Sequence, residues 1–193
     1  MIAGQLSSAG FTLVAVDLGP ADEWGNATSV SRFGEAVTLL GTLGCATDKV
    51  CAVANSMGFS DAVHYAIANP TKVARIVGIT PGWDITDAYV NNTAGLQADI
   101  GTAWGVTYPT PLPANADASA NNNYAPIVTA GIPGSLYYST ADTVIPPSTV
   151  LDCSTKLGWP ATVISTTEDH TNGDLRTHVP VSDVAAQLIA SGA

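Results

Sequence analysis

The sequence predicts an α/β fold, with a mostly parallel sheet and helices on both faces, and three observations carry that prediction. Short apolar runs at residues 11–17, 50–54, 73–80, 135–139 and 161–165 alternate with stretches whose apolar residues recur at helical spacing. One run breaks at Asn55-Ser56-Met57-Gly58 and a helical pattern follows at once, which puts a serine on a tight strand-to-helix turn. The 193 residues suffice for one domain with a substantial core, and no linker or internal repeat divides them.

In chain order, residues 2–9 are weakly helical and stop at Gly10, a good helix terminator, before the buried strand 11–17 (F-T-L-V-A-V-D). Residues 19–28 hold Pro20, Trp24, Gly25 and Asn26 and read as a loop. Phe33, Ala36, Val37 and Leu40 mark a helix that ends at Gly41 or Gly44. After the strand 50–54, Phe59, Ala62, Val63, Ala66 and Ile67 form one face of a helix that must end before Pro70. The strand 73–80 (V-A-R-I-V-G-I-T) follows. Residues 81–133 then change character, with paired asparagines, several prolines and scattered Trp83, Tyr89, Trp104 and Tyr108; this predicts a cap or lid inserted over 82–131. Short strands at 135–139 and 161–165 and a closing helix through Val181, Val184, Ala185, Leu188 and Ile189, before Gly192, complete the order.

Six Lys plus Arg against sixteen Asp plus Glu give a net charge of -10, so phosphate backbones and anionic membrane surfaces repel this chain and nucleic acid is excluded as a partner. No unbroken apolar run reaches the roughly 18 residues of a membrane span. The first eleven residues lack a positive charge and signal-peptide architecture, which predicts a cytoplasmic chain by default. An incomplete N-terminus would leave extracellular or virion-associated locations open. Cys45, Cys51 and Cys153 show no metal-ligand spacing, and a Cys45 to Cys51 bridge is an open alternative to small buried hydrophobes.

Acyl transfer by serine needs a base to take the hydroxyl proton and a carboxylate to orient that base. In a parallel sheet the loops after the carboxyl ends of different strands meet on one edge, so strand-end residues far apart in sequence converge. Ser56, Asp142 and His170 each follow a strand. Each has a plainer reading: Ser56 as a helix cap, Asp142 as a turn cap before Pro146, and His170 in competition with His178 in the same loop. His64 falls inside a helix and reads as structural, while Glu168 and Asp169 stand beside His170 as charges able to raise its pKa.

The chain resembles the α/β-hydrolases, whose triad runs Ser, Asp, His with the serine on a nucleophile elbow. Three stretches carry the resemblance: Ala54-Asn55-Ser56-Met57-Gly58 with its helix and strand 73–80, residues 132–146 ending in an acid and then Val144-Ile145-Pro146, and residues 162–170 with the closing helix. Residues 11–19 add weaker support. Ala54 stands where the elbow pattern G-x-S-x-G has its first glycine. The resemblance implies a serine hydrolase of carboxylic esters, without a cofactor, in which Ser56 attacks, His170 relays the proton and Asp142 holds His170. It favours His170 over His178, because only four residues separate His170 from the last strand. Met57 would supply one oxyanion N–H; Trp83 and Trp104 read equally as lining of a pocket for a small-molecule, lipid or polymer ester and as anchors of the cap to the core. By the family's pattern the chain begins within the helix that precedes strand 11–17, so the earlier strands and the oxyanion loop are absent. Residues upstream of Met1 would then supply the missing strand, or a homo-oligomer or a second chain would complete the sheet, or the two flanking strands would pair directly in a reduced fold. The alternative reading is a non-catalytic structural or interaction subunit, for example of a larger or viral assembly.

Overall fold

The computed structural model describes residues 2–16, 23–45, 48–170 and 175–191. Its centre is a four-stranded sheet of β1 (Val50–Asn55), β2 (Val73–Ile79), β3 (Gly134–Ser139) and β4 (Ala161–Ser165), ordered as in the sequence and parallel throughout. Parallel neighbours require crossovers, and helices supply them. α3 (Met57–Ala68) joins β1 to β2, and α7 (Pro147–Leu157) joins β3 to β4.

Side-chain alternation along the strands divides the core into two layers. Ile76, Leu136 and Tyr138 pack with Phe59, Ala62 and Val63 of α3 and Val150, Cys153 and Leu157 of α7. Phe33 and Val37 of α2 (Ala27–Thr42) close that layer from outside, Phe33 stacking on Tyr65 with ring centroids 4.7 Å apart. Val77, Ile79 and Tyr137 point the other way, onto Leu6 of α1 (Ile2–Ser8) and Val184 and Leu188 of α8 (Val181–Ala190). β2 and β3 are therefore covered on both faces and buried throughout except at Arg75, whereas β1 alternates and β4 is half exposed.

Gly78 is where the first layer closes on the sheet. A Cβ there would lie 2.7 Å from two ring carbons of Phe59 and 3.1 Å from Leu136 Cδ2, both side chains fully buried. Gly78→Ala is expected to destabilise the fold by about 1–3 kcal/mol through overpacking, read as a lower urea midpoint with unchanged m-value.

The structure departs from the sequence reading in two places. Residues 11–16 form no strand: Phe11 N–H turns back to Leu6 O at 3.2 Å, and none of the four strands pairs with this segment. Its last residue in the expected strand, Asp17, lies outside the described residues, as do residues 19–22 of the expected loop and Gly192. An apolar run signals willingness to extend, but a strand exists only where a neighbour takes its N–H and C=O groups. Secondly, α7 was not foreseen. Its starting Pro147, its Val150, Cys153 and Leu157 face and its left-handed Gly158 terminus are ordinary helix signals diluted by polar neighbours. Cys45, Cys51 and Cys153 are all free thiols, so the Cys45 to Cys51 bridge that their spacing left open is not made. Among the described residues no helix is long and apolar enough to cross a membrane.

Between β2 and β3 run α4 (Ile85–Val90), α5 (Gln97–Ala103) and α6 (Ala125–Thr129). Ile85, Tyr89 and Ile100 bury together with Trp24 and Ala116 in a third apolar cluster, against which Met57 and Trp104 pack. Asp84 caps α4 by accepting the Asp87 N–H at 2.9 Å, and Asp117 accepts the Thr86 N–H at 3.0 Å. Burial pushes the Asp84 carboxyl up from 3.8 to about 6, with the neighbouring Asp117 adding to the rise. Because the folded state binds this proton more tightly than the unfolded chain, the stability it contributes is fully present below about pH 4 and is lost as pH rises through about 6. Asp84→Asn keeps the cap and removes the charge. Its melting temperature relative to the parent is expected to rise between pH 4 and 6 and then level off, as thermal melts across that range will show.

Candidate active site

The turn after β1 positions Ser56 by backbone strain and two anchors. Ser56 sits at φ 51°, ψ -124°, a conformation that side-chain-bearing residues seldom adopt. Its N–H donates to Ile79 O at 3.0 Å, extending the β1–β2 ladder, and its carbonyl accepts the N–H groups of Phe59 and Gly82, each at 3.0 Å. As N-cap of α3 its side chain makes no capping bond, so the hydroxyl is left to point elsewhere. It meets His170: Oγ lies 3.0 Å from Nε2. The other ring nitrogen, Nδ1, lies 2.9 Å from Asp142 Oδ2.

Asp142 is 4% exposed, and its second oxygen accepts the N–H groups of Val144 at 2.9 Å and Ile145 at 2.8 Å. Those bonds stabilise the ionised carboxylate and fix its direction. The three residues come from the ends of β1, β3 and β4 and converge on the carboxyl edge of the sheet, as the topology requires. A serine hydroxyl, an imidazole and a buried carboxylate in this series can pass a proton from oxygen to nitrogen while the carboxylate holds the ring tautomer. Met57 opens α3, where the first N–H has no acceptor within the helix and points outward at its positive end.

His178 lies away from this series, 41% exposed and 2.7 Å from the Glu168 carboxylate. His64 is buried in α3, with Nδ1 2.8 Å from Ser60 O and Nε2 3.3 Å from Asn115 O. Trp83 is 2% exposed and donates its indole N–H to Asp152 at 2.9 Å; Trp104 donates to Trp24 O at 3.2 Å. Both tryptophans thus tie the 82–131 segment to the body of the molecule. Trp83 also lines a small cleft of about 20 Å³, with Trp24, Gly82, Ile85, Val144 and Ile145. Gly82 donates to the Ser56 carbonyl and Val144 and Ile145 donate to the Asp142 carboxylate, so the cleft wall is bonded to two of the three residues.

Trp24 was legible only as part of a loop. Asp61 of α3, fully buried and with its pKa raised by burial, accepts the Gly25 N–H at 2.6 Å, and Asn26 donates to Ala103 O at 2.9 Å. Gly25 has φ +79°, and a Cβ there would strike the His64 ring, so only glycine lets this turn lie on α3 and present Trp24 to the cleft. Nothing in the local sequence announces that contact, because its partners are 36 and 77 residues away.

No protein-family model matches the chain, and no curated protein sequence matches it. Solved structures do resemble it. An alpha/beta hydrolase enzyme from the metagenome of sediments of the Mar Chica lagoon, Morocco, is 15% identical with a TM-score of 0.56, covering 92% of this chain and 76% of that one. An extracellular alpha/beta-hydrolase from a Paenibacillus species is 19% identical with a TM-score of 0.53 over 98% of this chain and 91% of that one. A monoacylglycerol lipase from Paleococcus ferrophilus is 17% identical with a TM-score of 0.55 over 98% and 88%.

Proposed function

On the premise that the chain has an α/β-hydrolase fold, we propose that it is a serine hydrolase of carboxylic esters working through an acyl-enzyme. The observation that carries this reading is the unbroken series Ser56 Oγ, His170 and Asp142, with links of 3.0 and 2.9 Å. Ser56 Oγ attacks the acyl carbon as its proton passes to His170 Nε2, and Asp142 stabilises the imidazolium through Nδ1. The oxygen of the tetrahedral intermediate takes the Met57 N–H. His170 returns the proton to the departing alkoxide, and water repeats the sequence to release the acid. No cofactor enters these steps. Residues 82–131 act as a cap whose Trp83, with Trp24, walls the acyl or alcohol pocket. An ester is the proposed substrate class, as for the monoacylglycerol lipase of similar fold.

A fluorophosphonate probe tests the reading, because it reacts with a serine only where a base activates it. Stoichiometric labelling of the folded protein at Ser56, mapped by mass spectrometry, is expected. A second reading, a non-catalytic subunit completed by another chain, is favoured by β1: among the described residues its outer edge pairs with no strand. A folded sample that stays unlabelled favours that reading instead.

A further inference from the structure

The loop that carries the acid and the loop that carries the base are joined by a second carboxylate. Asp169 Oδ1 accepts the Thr143 N–H at 2.8 Å and the His170 N–H at 2.7 Å, and Oδ2 accepts the Thr143 hydroxyl at 2.7 Å. Thr143 follows Asp142 directly, and the next two N–H groups, of Val144 and Ile145, are bound by Asp142 itself. Two carboxylates from different strand ends therefore take up three successive N–H groups of one turn. The result is a closed ring: Asp142 to His170 through the imidazole, His170 to Asp169 through its own N–H, Asp169 to Thr143, and Thr143 back to Asp142 along the chain.

A single Asp142–His170 hydrogen bond leaves the two loops free to swing about it. The ring removes that freedom, because any change in the loop separation must break a charge-assisted bond to Asp169 as well. A parallel contact, Ser139 Oγ donating to Glu168 O at 2.6 Å, holds the preceding residue of the same loop against the end of β3. On these contacts, and resting on the hydrolase reading above, we infer that Asp169 is a positioning residue: it staples the acid loop to the base loop and thereby sets the distance from His170 Nε2 to Ser56 Oγ. It touches neither substrate nor nucleophile. Its own carboxyl is held below the usual carboxylate range, first by the Thr143 N–H and then by the Thr143 hydroxyl, so the charged form that makes three bonds persists into mildly acidic solution.

Geometry and charge separate by substitution. Asp169→Ala deletes all three bonds. Asp169→Asn keeps them, since the amide oxygen accepts both N–H groups and the amide nitrogen donates to the Thr143 hydroxyl, while the negative charge beside His170 is lost. Full-length wild type, Asp169→Ala and Asp169→Asn are to be compared in the rate of fluorophosphonate labelling at Ser56 and in kcat and KM on a p-nitrophenyl ester across pH. Asp169→Ala is expected to lower labelling and kcat by about 10–100-fold with KM within about twofold, the signature of a misplaced base rather than lost substrate binding. Asp169→Asn is expected to stay within about threefold of the wild type in labelling and kcat, because the three bonds survive without the charge. Wild-type labelling and turnover in Asp169→Ala overturns the positioning role, and so does equal loss in both variants. A folded wild type that does not label at Ser56 overturns the hydrolase reading itself, and the positioning role falls with it.

Discussion

Ser56→Ala is expected to lower kcat on a short-chain ester by about 10⁴- to 10⁶-fold and to abolish fluorophosphonate labelling, with the melting temperature nearly unchanged. The two halves of that expectation come from different observations. Ser56 makes no side-chain cap on α3, so its hydroxyl contributes none of the roughly 1 kcal/mol that a capping serine supplies. Alanine keeps the Cβ, so the strain at φ 51° is the same in both proteins. What alanine removes is the oxygen 3.0 Å from His170 Nε2. Steady-state hydrolysis and a thermal melt on the same preparation check both halves. A variant that melts early while still turning over ester would return Ser56 to the role of a capping residue.

His170→Ala is expected to cost about as much as Ser56→Ala, and the double variant little more than either, because nucleophile and base act as one unit. His178→Ala should leave kcat/KM within a few-fold of the parent. His178 is 41% exposed and paired with Glu168, where a surface ion pair is worth at most about 1 kcal/mol. Parallel kinetics on the four variants measure this. Turnover surviving in His170→Ala and lost in His178→Ala would transfer the base to His178 and break the series read above.

Much of this architecture was legible from local pattern. The runs at β1 to β4 and the periodic faces of α3 and α8 declare themselves because a strand of a core sheet gathers apolar residues at consecutive or alternate positions and a helix on a sheet needs one apolar stripe. The order of Ser56, Asp142 and His170 after β1, β3 and β4 was legible too, since parallel topology sends those strand ends to one edge. α7 was missed because its three buried residues are spaced among eight less buried ones in a short helix. Trp83 and Trp104 read equally well as pocket lining or as anchors. The structure gives both an anchoring hydrogen bond and sets Trp83 beside the cleft as well.

The sequence by itself determined the alternation of strands and helices, the serine on its turn and the chemistry available at each strand end. These are local properties: hydrophobic period, turn chemistry and residue type act over a few positions. Only the tertiary structure decided that residues 11–16 stay outside the sheet, that Gly25 fits against His64 and turns Trp24 to the cleft, and that Asp169 reaches Thr143. Each of those depends on what lies opposite in space, a partner strand, an imidazole or a neighbouring loop 26 residues away, and a hydrogen bond is settled by that distance and direction rather than by the residues beside it in the chain.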